Sequence, residues 1–400
     1  MIHGPAKVAV RSCPKGVLPM RKLLIAPLAA ALMLLGWSVP ASAEPAPLIQ
    51  ITKASGEAIP GNYIVTYKEG AKAAATITSL STAPDFVYTD ALNGFAGELT
   101  ADELKRLQSD PNVERIEEDG IARIAATQTN PPWGLDRIDQ TNLPLSNTYT
   151  YNSTGAGVYA YIIDTGIYTS HSQFGGRAAN VYNSAGGSNT DCNGHGTHVA
   201  GTVGASTYGV AKAVNLRGVK VLDCNGSGSW SGVIAGMDWV TANHTKPAVA
   251  NMSLGGGYNA SVNSAATRMA NAGVYTAVAS GNSNANACNY SPASAANVTT
   301  VNASDRNDRK ASFSNYGNCS DIWAPGVSIQ STWHNGGTNS ISGTSMASPH
   351  VAGVGVLYKA TYGDAASATV HNWIISNSTS GVIIGNPSGT PNRLLYKANL

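Results

Sequence analysis

The sequence is poor in charged residues, which make up 12% of its 400 positions, and its formal net charge is only +2. Apolar residues still supply 43% of the chain, so the composition is that of a loop-rich globular protein and not of a disordered one. Glutamate is absent from residues 126–400, which excludes an HExxH metalloprotease motif there. No basic stripe indicates nucleic-acid binding, and no Cys-x-x-Cys motif indicates a zinc ribbon or a thioredoxin-like redox site.

An apolar run lies near the start of the chain. The run covers residues 23–39. Two basic residues precede it, and the small-residue sequence Ala-Ser-Ala follows at 41–43. The pattern predicts that residues 1–43 are a secretory signal region, with Met20 as an alternative start. A transmembrane anchor is the other interpretation, but the run is short and contains both proline and glycine. We therefore expect a secreted, extracellular protein with no membrane segment in its mature form.

Four cysteines follow the signal region: Cys192, Cys224, Cys288 and Cys319. An even number behind a signal peptide predicts two disulfides formed in an oxidising compartment. The residues alone leave three pairings open.

The charge balance divides the rest of the chain in two. Residues 44–125 contain 13 acidic and 7 basic side chains, whereas residues 126–400 contain 10 acidic and 13 basic ones. Opposite net charges favour docking of one module on the other. The small module is predicted to be a compact α+β unit with helices over 71–80 and 101–109, and Thr100 with Glu103 forms a capping box for the second helix.

The large module alternates short apolar segments with helical ones. Strands are predicted over 158–163, 214–222, 248–254 and 274–280, and helices include 195–204, 229–243 and 260–272. This alternation is typical of an α/β fold in which helices cover both faces of a mainly parallel sheet. Ligands of such sheets bind at the carboxyl ends of the strands.

Four polar residues stand where such a site would form. Asp164 ends an apolar strand, His195 begins a helix with His198 three residues on, Asn282 follows another strand, and Ser345 opens a long helix. Each has an ordinary structural interpretation as a turn, cap or core residue. The two histidines are also candidate zinc ligands, although the glutamate base and the i, i+4 spacing are missing.

Taken together, the motifs around these residues resemble the subtilisin-type serine proteases. The resemblance rests on "IDTGI", "DCNGHGTHVAG", "NMSLGGG", "KASFSNYG" and "GTSMASPHVAG", and it points to the proteinase K branch, closest to aqualysin-type secreted bacterial enzymes. It implies a three-layer subtilisin-like domain over 126–400. Residues 44–125 resemble the ferredoxin-like inhibitory propeptide of the same family, which would be removed by self-cleavage after Ala125.

The resemblance also implies roles for individual residues. Ser345 would be the nucleophile, His195 the general base and Asp164 its orienting carboxylate, while Asn282 and the Ser345 amide would bind the oxyanion. Residues expected to bind substrate are Gly226, Ser227, Gly228, Ser253, Leu254, Gly255, Ala279 and Gly281. The expected function is a monomeric serine endopeptidase that cleaves proteins and peptides with a broad preference for apolar or aromatic residues. A catalytically inactive binding protein of the same shape is the alternative.

Structural calcium and the disulfide pairing are likewise implied by resemblance. One calcium site would use Asp321 with the carbonyls of Ala296 and Val298. A second would use Asp136, Asp139 and Gln140, completed by Ser146 and Thr148. Oxygen ligands of this kind suit Ca²⁺. The implied disulfides are Cys192–Cys224 and Cys288–Cys319.

Overall fold

The computed structural model describes residues 47–54, 58–71, 77–120 and 126–400. The predicted signal region, Ala125 and half of the helix predicted over 71–80 lie outside these ranges. Within them, no helix has both the length and the apolar character needed to cross a membrane. Residues Leu48–Leu400 make up one compact unit, which contains two large sheets.

The first sheet has five strands, and a helix precedes the last of them in the sequence. Its elements are β1 (Ile51–Thr52), β2 (Ala58–Tyr67), β3 (Phe86–Tyr88), β4 (Gly94–Glu98), α1 (Ala101–Gln108) and β5 (Val113–Gly120). The strand order is β1-β5-β2-β4-β3, with only β1 and β5 parallel. The predicted capping box of Thr100 and Glu103 is formed at the start of α1. Val65, Phe95 and Ile116 are fully buried in a separate small core.

The second sheet contains nine strands in the order β19-β20-β16-β15-β13-β11-β8-β10-β9. Its strands are β8 (Tyr159–Asp164), β9 (Ala178–Asn183), β10 (Asn215–Lys220), β11 (Ala248–Met252), β13 (Tyr275–Ala279), β15 (Thr299–Ser304), β16 (Ile322–Pro325), β19 (Thr379–Ser380) and β20 (Arg393–Leu394). All pairings are parallel except β19 with β20. The predicted mainly parallel sheet is therefore confirmed, with five strands that the apolar runs did not reveal.

Helices cover both faces of this sheet. They are α2 (Trp133–Ile138), α3 (His195–Gly204), α4 (Trp230–Asn243), α5 (Ala260–Asn271), α6 (Thr344–Tyr362) and α7 (Ser367–Asn377). Along β8, Ile162 packs into the core shared with α3 and α6, whereas Ile163 packs into the core shared with α4 and α5. Alternate side chains of one strand thus fill two cores, which explains why the strand is apolar throughout.

Three short antiparallel pairs complete the fold: β6 (Ala126–Thr129) with β7 (Thr148–Tyr151), β12 (Gly256–Gly257) with β14 (Tyr290–Ser291), and β17 (Ile329–Thr332) with β18 (Thr338–Ile341). The central strands β8, β11 and β13 end side by side. Asp164 is the last residue of β8, and Ser253 and Gly281 follow β11 and β13 closely. The parallel topology therefore brings the residues singled out in the sequence to one edge of the sheet.

Candidate active site

The carboxylate of Asp164 lies at the carboxyl end of β8 and is fully buried. Its Oδ1 atom accepts a hydrogen bond from the amide of Thr165 at 2.7 Å and lies 2.8 Å from Nδ1 of His195. Burying a carboxylate is costly unless it is hydrogen-bonded, and these two donors compensate Oδ1 while the buried Oδ2 has no hydrogen-bond partner among the described residues. The contact also assigns Nδ1 of His195 as the protonated nitrogen, which leaves Nε2 to accept a proton.

His195 is the first residue of α3. The glycine on each side of it permits a backbone conformation or a close approach that a larger residue would not. Gly194 has φ of +108°, a conformation that L side chains rarely adopt. A Cβ atom at Gly196 would lie 2.1 Å from the carbonyl oxygen of Gly166, so the start of α3 approaches the loop after Asp164 as only glycine allows. Burial lowers the pKa of His195, but the charge and hydrogen bond of Asp164 and the charge of Asp191 outweigh it, and the pKa is raised.

His198 lies one helical turn further along α3 in a different environment. Its side chain is fully buried, and its Nε2 atom lies 2.9 Å from the carbonyl oxygen of Ile329. Burial lowers the pKa of His198 to about 4. Among the described residues, no group of three or more His, Cys, Asp or Glu side chains could hold a metal ion. The contacts of His198 are those of a core residue.

Ser345 is the second residue of α6 and is joined to Ser253 by a reciprocal pair of hydrogen bonds. The Ser345 hydroxyl donates to the carbonyl oxygen of Ser253 at 3.0 Å, and the Ser253 hydroxyl donates to the carbonyl oxygen of Ser345 at 2.7 Å. These contacts fix the start of α6 against the end of β11. Ser345 and His195 line the same cleft.

The side-chain amide of Asn282 is oriented by Thr344. Its Oδ1 atom accepts hydrogen bonds from the Thr344 amide at 2.8 Å and from the Thr344 hydroxyl at 2.9 Å. A backbone amide can only donate, so the oxygen of Asn282 must face it, and Nδ2 is left as a free donor beside the cleft. The amide of Ser345, in the first turn of α6, has no partner within the helix. The two donors together can bind an oxyanion.

A cleft of about 690 Å³ connects these residues. Its lining includes His195, Asn282 and Ser345, together with Trp230. Every residue predicted to bind substrate lies on its wall: Gly226, Ser227, Gly228, Ser253, Leu254, Gly255, Ala279 and Gly281. The backbone at 226–228 and 253–255, which includes three glycines, leaves room for an extended substrate backbone to approach.

A buried polar network behind Ser345 escaped sequence analysis. Asn251, in the apolar strand β11, donates from Nδ2 to the hydroxyl of Ser253 at 2.8 Å. Its Oδ1 atom accepts from the hydroxyl of Ser348, on α6, at 2.7 Å. The network ties the helix that carries Ser345 to the central sheet. An asparagine within a run of apolar strand residues is the signal that could have revealed it.

The residues implied for the first calcium site lie together. Asp321, Ala296 and Val298 line one pocket of about 340 Å³, and Oδ2 of Asp321 accepts the amide of Thr300 at 2.7 Å. Burial raises the pKa of Asp321, so a cation close to it would be favourable. One carboxylate with backbone carbonyls is a donor set that fits Ca²⁺.

The residues implied for the second calcium site are already engaged with donors. Asp139 forms an ion pair with the buried ammonium of Lys397 at 3.0 Å and accepts the Thr150 amide at 2.7 Å. Asp136 accepts the amide and the hydroxyl of Ser146, each at 3.0 Å, and a further amide from residue 147. Because these carboxylates accept hydrogen bonds and an ion pair within the structure, the second calcium site stays a prediction.

Two disulfides close loops near the site. Cys192 is bonded to Cys224, and Cys288 is bonded to Cys319, with sequence separations of 32 and 31 residues. These are the pairs that the resemblance implies. Each cross-link of this length stabilises the fold by about 3–4 kcal/mol in the chain-entropy model.

Comparisons with known proteins show which families this chain resembles. Residues 155–394 match the Subtilase family, and residues 62–125 match the family described as Peptidase inhibitor I9. The chain is 49% identical over 385 residues to an extracellular serine proteinase of Thermus sp. (strain Rt41A), covering 89% of this chain and 93% of that one. It is 49% identical over 362 residues to proteinase R of Parengyodontium album, covering 88% and 92%. The crystal structure of a cold adapted subtilisin-like serine proteinase aligns with a TM-score of 0.67 and 49% identity, covering 68% of this chain and 100% of that one.

Proposed function

Since the chain belongs to the subtilase family of serine proteinases, we propose that it is a secreted endopeptidase whose catalytic triad is Asp164, His195 and Ser345. The observation that carries the proposal is the 2.8 Å contact between Asp164 Oδ1 and His195 Nδ1 at the edge of a cleft that also contains Ser345. A buried acid that orients a histidine beside a serine is the arrangement that activates a hydroxyl nucleophile.

The reaction follows from the positions of these atoms. Oγ of Ser345 attacks the carbonyl carbon of the scissile peptide bond while Nε2 of His195 takes the hydroxyl proton. The tetrahedral oxyanion is bound by Nδ2 of Asn282 and the amide of Ser345. His195 then protonates the leaving amine, and a water molecule hydrolyses the acyl-enzyme by the same steps in reverse. Asp164 stabilises the imidazolium form without itself accepting the proton.

The shape of the cleft supports an extended polypeptide substrate. The segments at 226–228 and 253–255 line the cleft, so a substrate strand can pair with backbone on both sides. Leu254 and Ala279 supply apolar surface next to Gly281, and no charged side chain is among the residues that line the described cleft except His195. We therefore expect a broad preference for apolar or aromatic residues before the scissile bond.

The small module supports a precursor that matures by self-cleavage. Its match to the I9 inhibitor family ends at residue 125, and residues 126–129 already form β6 at the start of the large module. We propose that residues 44–125 are an inhibitory propeptide and 126–400 the catalytic domain. A structural calcium ion bound by Asp321, Ala296 and Val298 is part of the same proposal.

The direct test is the Ser345→Ala variant. The parent chain should appear in the culture medium as a mature protein beginning near Ala126 and should hydrolyse casein and apolar chromogenic peptides. Ser345→Ala should accumulate as uncut precursor without hydrolytic activity, as N-terminal sequencing would reveal. Normal processing and activity in this variant would refute the proposal. Ser342→Ala, a neighbouring exposed serine, is the matched control and should be processed normally.

A further inference from the structure

Asp191 is a second buried carboxylate close to the triad. It is 4% exposed and accepts five hydrogen bonds. Oδ1 accepts from the hydroxyl of Thr165 at 2.9 Å and from the amides of Asn193 and Gly194 at 3.0 and 2.9 Å. Oδ2 accepts from the amide and the hydroxyl of Thr197 at 2.9 and 2.5 Å. All five groups donate, as an acceptor-only ionised carboxylate requires.

These contacts join two segments that are separate in sequence. The bonds to residues 193–197 belong to the turn that leads into α3 and could be explained as a local cap of His195 and its neighbours. The bond to Thr165 cannot, because Thr165 follows Asp164 at the end of β8. The Thr165 hydroxyl also accepts the amide of Gly196 at 2.8 Å. Asp191 therefore fixes the backbone on both sides of the Asp164–His195 contact.

A buried ammonium group balances part of this negative charge. Lys220 is 1% exposed and lies beside Asp164 in the register of β10 with β8. Its Nζ atom donates to the carbonyl oxygen of Thr165 at 2.8 Å and to that of Leu222 at 3.0 Å. With Asp164 and Asp191 ionised, one negative charge stays uncompensated until His195 takes up a proton. The cluster becomes neutral in the charge state that the histidine adopts during catalysis.

We propose that Asp191 is a positioning residue of the triad: it holds the segments that carry Asp164 and His195 in register, and its negative charge favours the imidazolium form of His195. This inference rests on the proposed function. Two carboxylates would then act on one histidine in different ways. Asp164 contacts the ring directly, whereas Asp191 acts through Thr165, the α3 turn and its charge.

The charged and titratable groups around His195 set the sign of the expected effect. They include Asp164 on β8, Asp191 before α3, His198 on α3, Lys220 on β10 with Asp223 near it, and His334, whose ring lies against Gly194. Removing the anion at 191 makes the imidazolium less favourable, so the pKa of His195 falls. Removing the cation at 220 has the opposite sign. A residue that served only to hold the fold would change the amount of active enzyme and leave this pKa in place.

The experiment compares the acid limb of kcat/KM in the parent and in three variants, using a chromogenic peptide and enzyme concentrations fixed by active-site titration. This limb reports the pKa of the general base in the free enzyme. Asp191→Asn should move its midpoint to lower pH by about 0.5–1 unit and lower kcat by about 10–100-fold, with KM little changed. Thr197→Val, which removes one neutral donor to Asp191 without changing charge, should leave the midpoint within about 0.2 unit of the parent value. Lys220→Met should move the midpoint to higher pH.

An unchanged midpoint in folded, titratable Asp191→Asn would overturn the inference. If that variant yields no folded enzyme, Lys220→Met decides instead, and a midpoint at or below the parent value would overturn the inference. Failure of the proposed function is recognised separately. A parent enzyme that a serine-directed inhibitor does not label at Ser345 would remove the triad and the role of Asp191 together, whereas a labelled and active parent with unmoved midpoints would remove only the role of Asp191.

Discussion

His195 and His198 lie one helical turn apart at the start of α3, yet their rings meet different partners. His195 is 25% exposed and contacts the carboxylate of Asp164, whereas His198 is fully buried and contacts the carbonyl oxygen of Ile329. The first ring faces a cleft and has a raised pKa; the second lies in the core, with a pKa of about 4. Two histidines on one helix thus lie in different environments, one beside the cleft and the other in the core.

The first prediction separates these two histidines. His195→Ala should lower kcat by about 10⁴-fold or more, since the nucleophile loses its base. His198→Ala should keep kcat within about tenfold of the parent while the free energy of unfolding falls by about 2–4 kcal/mol, because a buried ring and its hydrogen bond are lost. Steady-state kinetics and thermal unfolding of both variants provide the check. Equal loss of kcat in folded enzyme would contradict the division.

The second prediction concerns pH. His195 must be neutral to accept the Ser345 proton, and its pKa is raised, mainly by Asp164 against the opposing effect of burial. Activity should therefore be lost as the pH falls through a midpoint above about 6.5, the ordinary value for histidine. The pH dependence of kcat/KM for an uncharged peptide substrate measures this midpoint. A midpoint clearly below 6.5 would show that Asp164 does not stabilise the imidazolium.

The third prediction tests the oxyanion donors. Asn282→Ala should lower kcat by about 10²–10³-fold with little change in KM, a magnitude already known for an oxyanion-hole asparagine of subtilisin. Thr344→Val, which removes one of the two groups that orient Asn282 but keeps the amide, should cost less than about tenfold. Steady-state kinetics on one peptide substrate provides the comparison. A larger effect in Thr344→Val than in Asn282→Ala would argue against this role.

The fourth prediction distinguishes the two groups of candidate calcium ligands. Calcium should raise the melting temperature of the parent enzyme, and Asp321→Asn should abolish this dependence. Asp139→Asn should lower the melting temperature by breaking the ion pair with Lys397, but calcium should still stabilise that variant. Calorimetry with calcium and with a chelator measures both effects. Loss of the calcium response in Asp139→Asn alone would move the site to the second group.

Much of the fold follows from local patterns. The helix predicted over 195–204 is present with those bounds, and the central strands begin and end within two residues of the predicted segments. Strands with two buried faces appear in the sequence as apolar runs and are therefore easy to predict. The strands β9, β15 and β16 were missed because they contain Asn, Ser, Thr or Pro, which interrupt the apolar pattern.

The site was predictable as a set of residues but not as a geometry. Motifs singled out Asp164, His195 and Ser345, and the strand pattern placed the site at the carboxyl ends of the strands, but the distances and hydrogen bonds between the side chains came only from the structure. The role proposed for Asp191 depends on a contact with Thr165, which a reader of the sequence alone would interpret as part of a turn. Similarly, Lys397 lies far along the chain from Asp139, and nothing in the sequence indicates their ion pair.

Stoichiometric labelling by a serine-directed inhibitor tests directly whether Ser345 is the nucleophile. The mature enzyme is treated with a sulfonyl fluoride, and intact mass, peptide mapping and residual activity are measured on the same sample. If Ser345 is the nucleophile, each molecule should carry one adduct, located on Ser345, and activity should be lost in proportion to labelling. Full activity after complete modification of Ser345, or inactivation by an adduct on another residue with Ser345 unmodified, would contradict it.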